Sequence, residues 1–153
     1  MASFRGSIDE HFTTPTAPAR VREMLLDTER WKRLQDELQT ATELAPGKLE
    51  IVLKEHQHGP TRFQGRYTAQ WTAEGDTVIW RSVPSPTGNF EVSGSATVTQ
   101  RGAGSAVHWR ESVTADIPVN RLVAKVVAPI ADRMMARGLR GYLDRLRADL
   151  DRG

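Results

Sequence analysis

NRLVAKVVAPIADRMMARGLRGYLDRLRADL, residues 120–150, closes the chain with a helical apolar stripe. Val123, Val127, Ile130, Met134, Leu139, Leu143, Leu146 and Leu150 recur mostly at three- and four-residue steps, and Met135 and Tyr142 widen the stripe. Asn120 is placed to cap it. Pro129 loses a backbone bond to Lys125 and clashes there, at a cost of about 3 kcal/mol, so a kink or break is expected near 125–129. What precedes this helix is a run of alternating, strand-like segments reaching about Ile117. An antiparallel sheet curved around one long terminal helix encloses space between the two, and that space is where a ligand is expected.

Working back from the helix, Val107, Trp109, Val113, Ala115 and Ile117 form one apolar strand face, which Glu111 interrupts. Phe90, Val92, Gly94, Ala96 and Val98 form another, and Arg101–Ser105 is the turn between them. Phe63, Gly65, Tyr67, Ala69 and Trp71 alternate with polar residues in the cleanest period-two pattern of the chain. Glu74-Gly75-Asp76-Thr77 supplies a tight hairpin, with Gly75 free to take positive φ. A two-residue turn at Gly75-Asp76 sets Trp71 opposite Trp80 and puts Val78 and Ser82 on the same face. A turn one residue longer would bring Ile79, Arg81 and Val83 inward instead. Leu49, Ile51 and Leu53 make an earlier strand that ends at a His58-Gly59-Pro60 turn.

At the N-terminal end, Phe4, Gly6, Ile8, Glu10 and Phe12 share a strand face that stops at Thr13-Thr14-Pro15. Pro18 suits the first turn of a helix carrying Val21, Met24 and Leu25, with Thr16 as its cap. After a break at Asp27-Thr28-Glu29, Trp31, Leu34 and Leu38 space as a second short helix. The chain thus reads as one α+β domain over residues 1–153. It consists of a first strand, two short helices, a sheet of about seven strands in all, and the long helix.

The order of these elements resembles the START-like, polyketide cyclase/dehydrase and birch-pollen-allergen-like (SRPBCC) superfamily. The resemblance rests on Phe12-Thr13-Thr14-Pro15 leading into a helix with Val21 and Leu25, Asp27 before Trp31, and the strand Val78-Ile79-Trp80-Arg81-Ser82. It continues through the Gly102–Val107 turn, a strand ending at Pro118, and the closing helix. It implies a helix-grip fold with a hydrophobic cavity, and members that bind lipids, quinones, hormones or polyketides. It transfers no single activity, because a fold hosts many functions.

Composition bounds the rest. At 153 residues the chain is long enough to bury roughly 70% of its unfolded surface. The 39% hydrophobic and 26% charged content suits a globule that is neither disordered nor membrane-spanning. Leu122 to Ala131, broken by Lys125, is too short for a bilayer, and MASFRGSIDEHF lacks the features of a signal peptide, so a cytoplasmic protein is expected. The absence of cysteine excludes disulfides and thiol chemistry. Four of the 21 basic residues are lysine and the rest arginine, with a net charge of only +2. Arg133, Arg137, Arg140, Arg145 and Arg147 alternate with Asp132, Asp144 and Asp149, which reads as a solvated face rather than a nucleic-acid surface.

The expected ligand-binding residues are Phe63, Tyr67, Trp71, Trp80, Ser82, Phe90, Trp109 and Glu111 on the sheet, facing Met134, Met135 and Leu139 on the helix. The ligand is a small hydrophobic molecule such as a lipid, quinone or polyketide, bound or transported without a cofactor, and Arg66 is a further candidate to orient its polar end. Glu111 and Tyr67 are the candidates for acid/base chemistry of a cyclase or dehydratase. Glu111 would be costly to bury as an anion and would then have a raised pKa. Arg66 and Arg81 are the cations that could pair with it at a cavity mouth. His56 and His58 make too sparse a metal set, and His11 and His108 fall on outward parities, so no metal site is expected. Burial against the sheet edge is the first reading of Leu122–Ile130. A cavity lip, a homodimer contact or a membrane-touching surface are its alternatives.

Overall fold

The structure is a computed structural model that describes residues 2–153, apart from the side chain of His58. Seven strands form one sheet: β1 (Ala2–Thr14), β2 (Leu38–Ala45), β3 (Lys48–His58), β4 (Thr61–Glu74), β5 (Thr77–Val83), β6 (Phe90–Arg101) and β7 (Gly104–Ile117). Three helices accompany them: α1 (Pro18–Leu26), α2 (Thr28–Leu34) and α3 (Arg121–Arg152). The sheet order is β1-β7-β6-β5-β4-β3-β2 with every neighbouring pair antiparallel. Strands β2 to β7 therefore form a plain meander, while α1 and α2 carry the chain from one sheet edge to the other. This is the helix-grip arrangement.

The alternation of the strands decides which side is core. On β1 the buried residues are Phe4, Gly6, Ile8, Phe12 and Thr14, with exposed residues between most of them. The β4–β5 hairpin pairs Glu74 with Thr77 and Trp71 with Trp80, so the two-residue turn at Gly75-Asp76 holds, with Gly75 at φ 61°. Val78, Trp80, Ala69 and Trp71 are accordingly buried. Fully buried Val21 and Met24 of α1, Leu49 and Ile51 of β3, and Leu146 and Leu150 of α3 close the core from the other side.

Four expectations need correction. Leu38 does not lie on a helix: α2 ends at Leu34, Gln35 turns extended, and Leu38 begins β2, an edge strand that the pattern does not announce. Two register shifts against β3, and exposed Thr40, Thr42, Glu43 and Leu44, erase its period-two signal. Thr16 does not cap α1. Ala17 holds the cap position with no side-chain bond, and the Thr16 hydroxyl donates instead to the Leu150 carbonyl at the end of α3. Of the kink or break expected near Pro129, the break does not occur: α3 runs uninterrupted from Arg121 to Arg152. Both Pro129 and Lys125 are exposed, so water can take the carbonyl that the proline leaves unpaired. Finally, Asp149 is not on a solvated face: it is buried against Arg30 of α2, with Arg152 beside it. Burial alone would raise its pKa, but the two guanidinium groups outweigh that and hold the carboxyl below its ordinary value.

The Asn120 side chain accepts from Val123 N at 2.8 Å and caps α3 as expected, and Asp27 caps α2 by accepting from Glu29 and Arg30 N. Helix α3 closely approaches Gly6 of β1, where a Cβ would lie 2.7 Å from Met135 Cβ. Gly94 in β6 is tighter still: its missing side chain is filled by the Trp80 ring, whose Cε2 would stand 2.2 Å from an added Cβ. Gly94→Ala is therefore expected to lose about 1–3 kcal/mol of stability by forcing that ring aside. Urea denaturation followed by tryptophan fluorescence measures this, and an unchanged midpoint would mean the ring has room to move.

Candidate functional site

The inner face of the sheet carries one continuous row. Register places Trp71 of β4 beside Trp80 of β5, Trp80 beside Gly94 of β6, Gly94 beside Glu111 of β7, and Glu111 beside Ile8 of β1. Because Gly94 has no side chain, the Trp80 indole lies across it and its Nε1 donates to Glu111 Oε2 at 2.8 Å, two strands away. Trp109 packs on Trp80 with ring centroids 4.5 Å apart, and Tyr142 of α3 approaches Trp109 at 6.4 Å. Tyr67 and Phe90 meet at 5.3 Å, as do Trp31 of α2 and Trp71.

Glu111 is therefore a carboxyl group inside an aromatic shell. The residue as a whole keeps some exposure, but its Oε1 is shut off from solvent and has no hydrogen-bond partner among the described residues. Burial pushes its pKa up to about 7, against the pull of the Trp80 and Trp109 indoles, which favour the anion. Trp109 Nε1 adds to that pull but forms no hydrogen bond among the described residues, so it too is buried and unpaired. Neither expected arginine pairs with Glu111: Arg81 is exposed, and Arg66 is exposed with its guanidinium donating to Gln64 at 2.7 Å. Burial first, and then the Glu111 charge, raise the pKa of both Tyr67 and Tyr142, which keep their phenolic protons.

The expected site residues sort by depth. Tyr67, Trp71, Trp80 and Trp109 are buried, Phe90, Met135 and Leu139 are half-buried at the margin, and Phe63 is half-buried without packing on the cluster. Ser82 shares the inner face, but its hydroxyl accepts from Val92 N at 2.8 Å, just beyond the last β5–β6 pair, Arg81 with Ser93. Met134 is 52% exposed and lies outside the cluster. Trp31 and Tyr142 belong to the aromatic shell, although sequence placed them only on helix stripes. The Leu122–Ile130 stretch is not buried against the sheet edge: Leu122 is 78% and Val126 74% exposed, and Val123 and Ile130 are exposed with them. His56 pairs with Glu37 at 2.6 Å, and the other half of the His56–His58 expectation lies outside the described residues. Open depressions of about 320 and 380 Å³ lie elsewhere, around Thr13–Pro15 with Asp151, and around His11 with His108.

Residues 5–151 match the family model described as polyketide cyclase/dehydrase and lipid transport. The chain belongs to that family. Solved structures share its fold. A START superfamily protein from Mycobacterium smegmatis superposes with a TM-score of 0.63 at 11% identity, covering 95% of this chain and 97% of that one. The Zhui aromatase/cyclase from a Streptomyces species, strain R1128, gives 0.63 at 10% identity, covering 97% and 94%. A protein from Thermus thermophilus gives 0.65 at 15% identity, covering 95% and 96%. Identities this low speak for the fold alone. Among curated proteins, none matches the chain by sequence. No helix among the described residues is long and apolar enough to cross a membrane.

The buried carboxyl leaves a mark on stability. Glu111 titrates near 4.5 when unfolded and near 7 when folded, so between those values the folded chain holds a proton that the unfolded chain has released. Its contribution is thus most favourable below pH 4.5, falls by roughly 3 kcal/mol as pH rises to 7, and is flat above. Subtracting the stability of Glu111→Gln from that of the wild type across roughly pH 4.5–8 should trace this decline. Parallel curves would place the folded pKa near its ordinary value.

Proposed function

We propose that this protein binds a small, mainly apolar molecule between the inner sheet face and α3, with the ligand's polar end held at Glu111 and Trp109. The observation that carries the reading is the pair of buried, unpaired polar atoms, Glu111 Oε1 and Trp109 Nε1, inside an aromatic shell. Unpaired polar atoms at such depth cost about 1–3 kcal/mol each, and a ligand hydroxyl or carbonyl that satisfies them recovers that energy. Leu53, Phe90, Met135 and Leu139, half-buried around the cluster, still hold apolar surface that a ligand can cover, at roughly 25 cal/mol per Å² before association costs. Family membership supports the same class of ligand.

Native mass spectrometry of freshly purified protein is expected to reveal a co-purified apolar molecule. Titration of fatty acids, quinones and polyphenols should quench tryptophan fluorescence. Glu111→Gln should then weaken the best binder about tenfold, the value of one charge-assisted hydrogen bond. A panel without a single binder, together with ligand-free spectra, would sink the reading.

A second reading is favoured by one observation, the Glu111 pKa of about 7 beside a protonated Tyr67. Such a carboxyl is poised to take a proton from an acidic methylene and return it to a carbonyl oxygen as a new carbon–carbon bond closes a ring. The fold shared with an aromatase/cyclase agrees with that chemistry. If it operates, cyclisation of a poly-β-ketone thioester should fall at least about 100-fold in Glu111→Gln, and the wild-type rate should follow one ionisation near pH 7. Unaltered turnover in that variant would remove Glu111 from any catalytic role.

A further inference from the structure

The outer face of the sheet carries a second chemical cluster, on the side away from Glu111. Asp9 and His11 stand two apart on β1, so strand geometry projects both from the same face. Register places His108 of β7 directly opposite His11, and Arg110 opposite Asp9. The two imidazoles stack with centroids 4.0 Å apart and planes 12° from parallel. His108 Nε2 lies 2.7 Å from Asp9 Oδ1, and Arg110 Nε is 3.6 Å from the other carboxylate oxygen. One ligand atom from each of Asp9, His11 and His108 falls within 4.8 Å of the others.

We propose that Asp9, His11 and His108 form a binding site for a divalent transition cation of the zinc or copper class. Two imidazole nitrogens and one carboxylate oxygen are the donor set that such borderline ions prefer, and they leave positions open for water. The depression of about 380 Å³ bordered by His11, His108, Thr97 and Thr99 gives that water room. Metal bonds of about 2.0–2.2 Å require the three donors to draw closer and the rings to leave their stack. Rotation about the side-chain torsions of these solvent-facing residues can supply that adjustment. The bond from His108 already holds Asp9 as an anion, its pKa lowered chiefly by that contact. Binding exchanges the His108–Asp9 contact for two metal bonds and frees the Arg110 guanidinium. The bound ion would clip β1, an edge strand, to β7 across 99 positions of chain. It would thus stabilise the folded state by mass action.

Tag-free protein titrated calorimetrically with zinc chloride is the test, with copper(II) and nickel(II) chlorides in parallel. One ion per chain is expected, with a rise in Tm. His11→Asn and His108→Asn should each weaken the affinity at least tenfold, and His56→Asn, a distant exposed histidine, should leave it unchanged. Circular dichroism identifies any variant that fails to fold. For that case, absorption of the cobalt(II) complex in wild-type protein reports nitrogen and oxygen ligation directly. Absence of binding by all three ions, or binding that survives both β1 and β7 substitutions, overturns the proposal. Because the cluster lies on the opposite face from Glu111, neither result bears on ligand binding inside the sheet.

Discussion

The hydrogen bond from Trp80 Nε1 to Glu111 Oε2 organises the interior, and it exists only because Gly94 leaves a gap between them. Strands β5 and β7 are not neighbours, so an ordinary side chain on β6 would keep an indole on one from a carboxyl on the other. With the gap filled by the Trp80 ring, Trp109 packs on that ring and Tyr142 of α3 approaches Trp109. One absent Cβ therefore couples the sheet, the carboxyl and the helix. The bond also explains why Glu111 can be buried at all. Burial raises the cost of the anion, and the neutral Trp80 and Trp109 indoles lower that cost without cancelling it, which leaves the group near its midpoint at neutral pH.

Helix α3 divides into halves with different tasks. Its C-terminal half is anchored by Leu143, Leu146 and Leu150 in the core, by Asp149 on Arg30, and by the Leu150 carbonyl on Thr16. Its N-terminal half touches β1 through the close approach at Gly6 and through the Arg5 N donor to Asp132 at 2.9 Å, while its apolar outer residues stay in solvent. The anchored half sits beside the aromatic shell. Half-buried Met135 and Leu139 mark the passage from one regime to the other.

Much of this was legible in the chain because period-two and period-3.6 patterns report burial on one face. The Trp71–Trp80 pairing followed from turn length alone, and Glu111 stood out as a charge on an apolar parity. What escaped had physical reasons. Strand β2 is an exposed edge with two bulges, so no face of it repeats. Asp149 occupies a helix position that looks solvated until Arg30, 119 residues away in the chain, arrives to pair with it. The outward stripe of Leu122, Val126, Ile130 and Met134 has the spacing of a core face, and periodicity cannot say whether anything covers it. Arginine is the partner that a lone carboxylate on a strand suggests, whereas an indole two strands away becomes a partner only because Gly94 is a gap.

Strand β7 shows how one element can serve two chemistries. Its inward parity carries Val107, Trp109, Glu111 and Val113, and its outward parity carries His108 and Arg110. The period of two keeps these sets apart with the sheet itself as the barrier, one group in an aromatic interior and the other facing water. Solvent access decides what each can do: the inner carboxyl hovers near neutrality for want of partners, while the outer Asp9 is held as an anion by His108. A single residue inserted between His108 and Glu111 would put both on one face: with His108 held in register, the carboxyl would turn to water and the Trp80 bond would break. The register of β7 against β1 and β6 is thus the feature on which both sites depend. The thirteen-residue pairing with β1, continuous from Ala2–Ile117 to Thr14–Ser105, secures that register on one side, as the unbroken ladder with β6 does on the other.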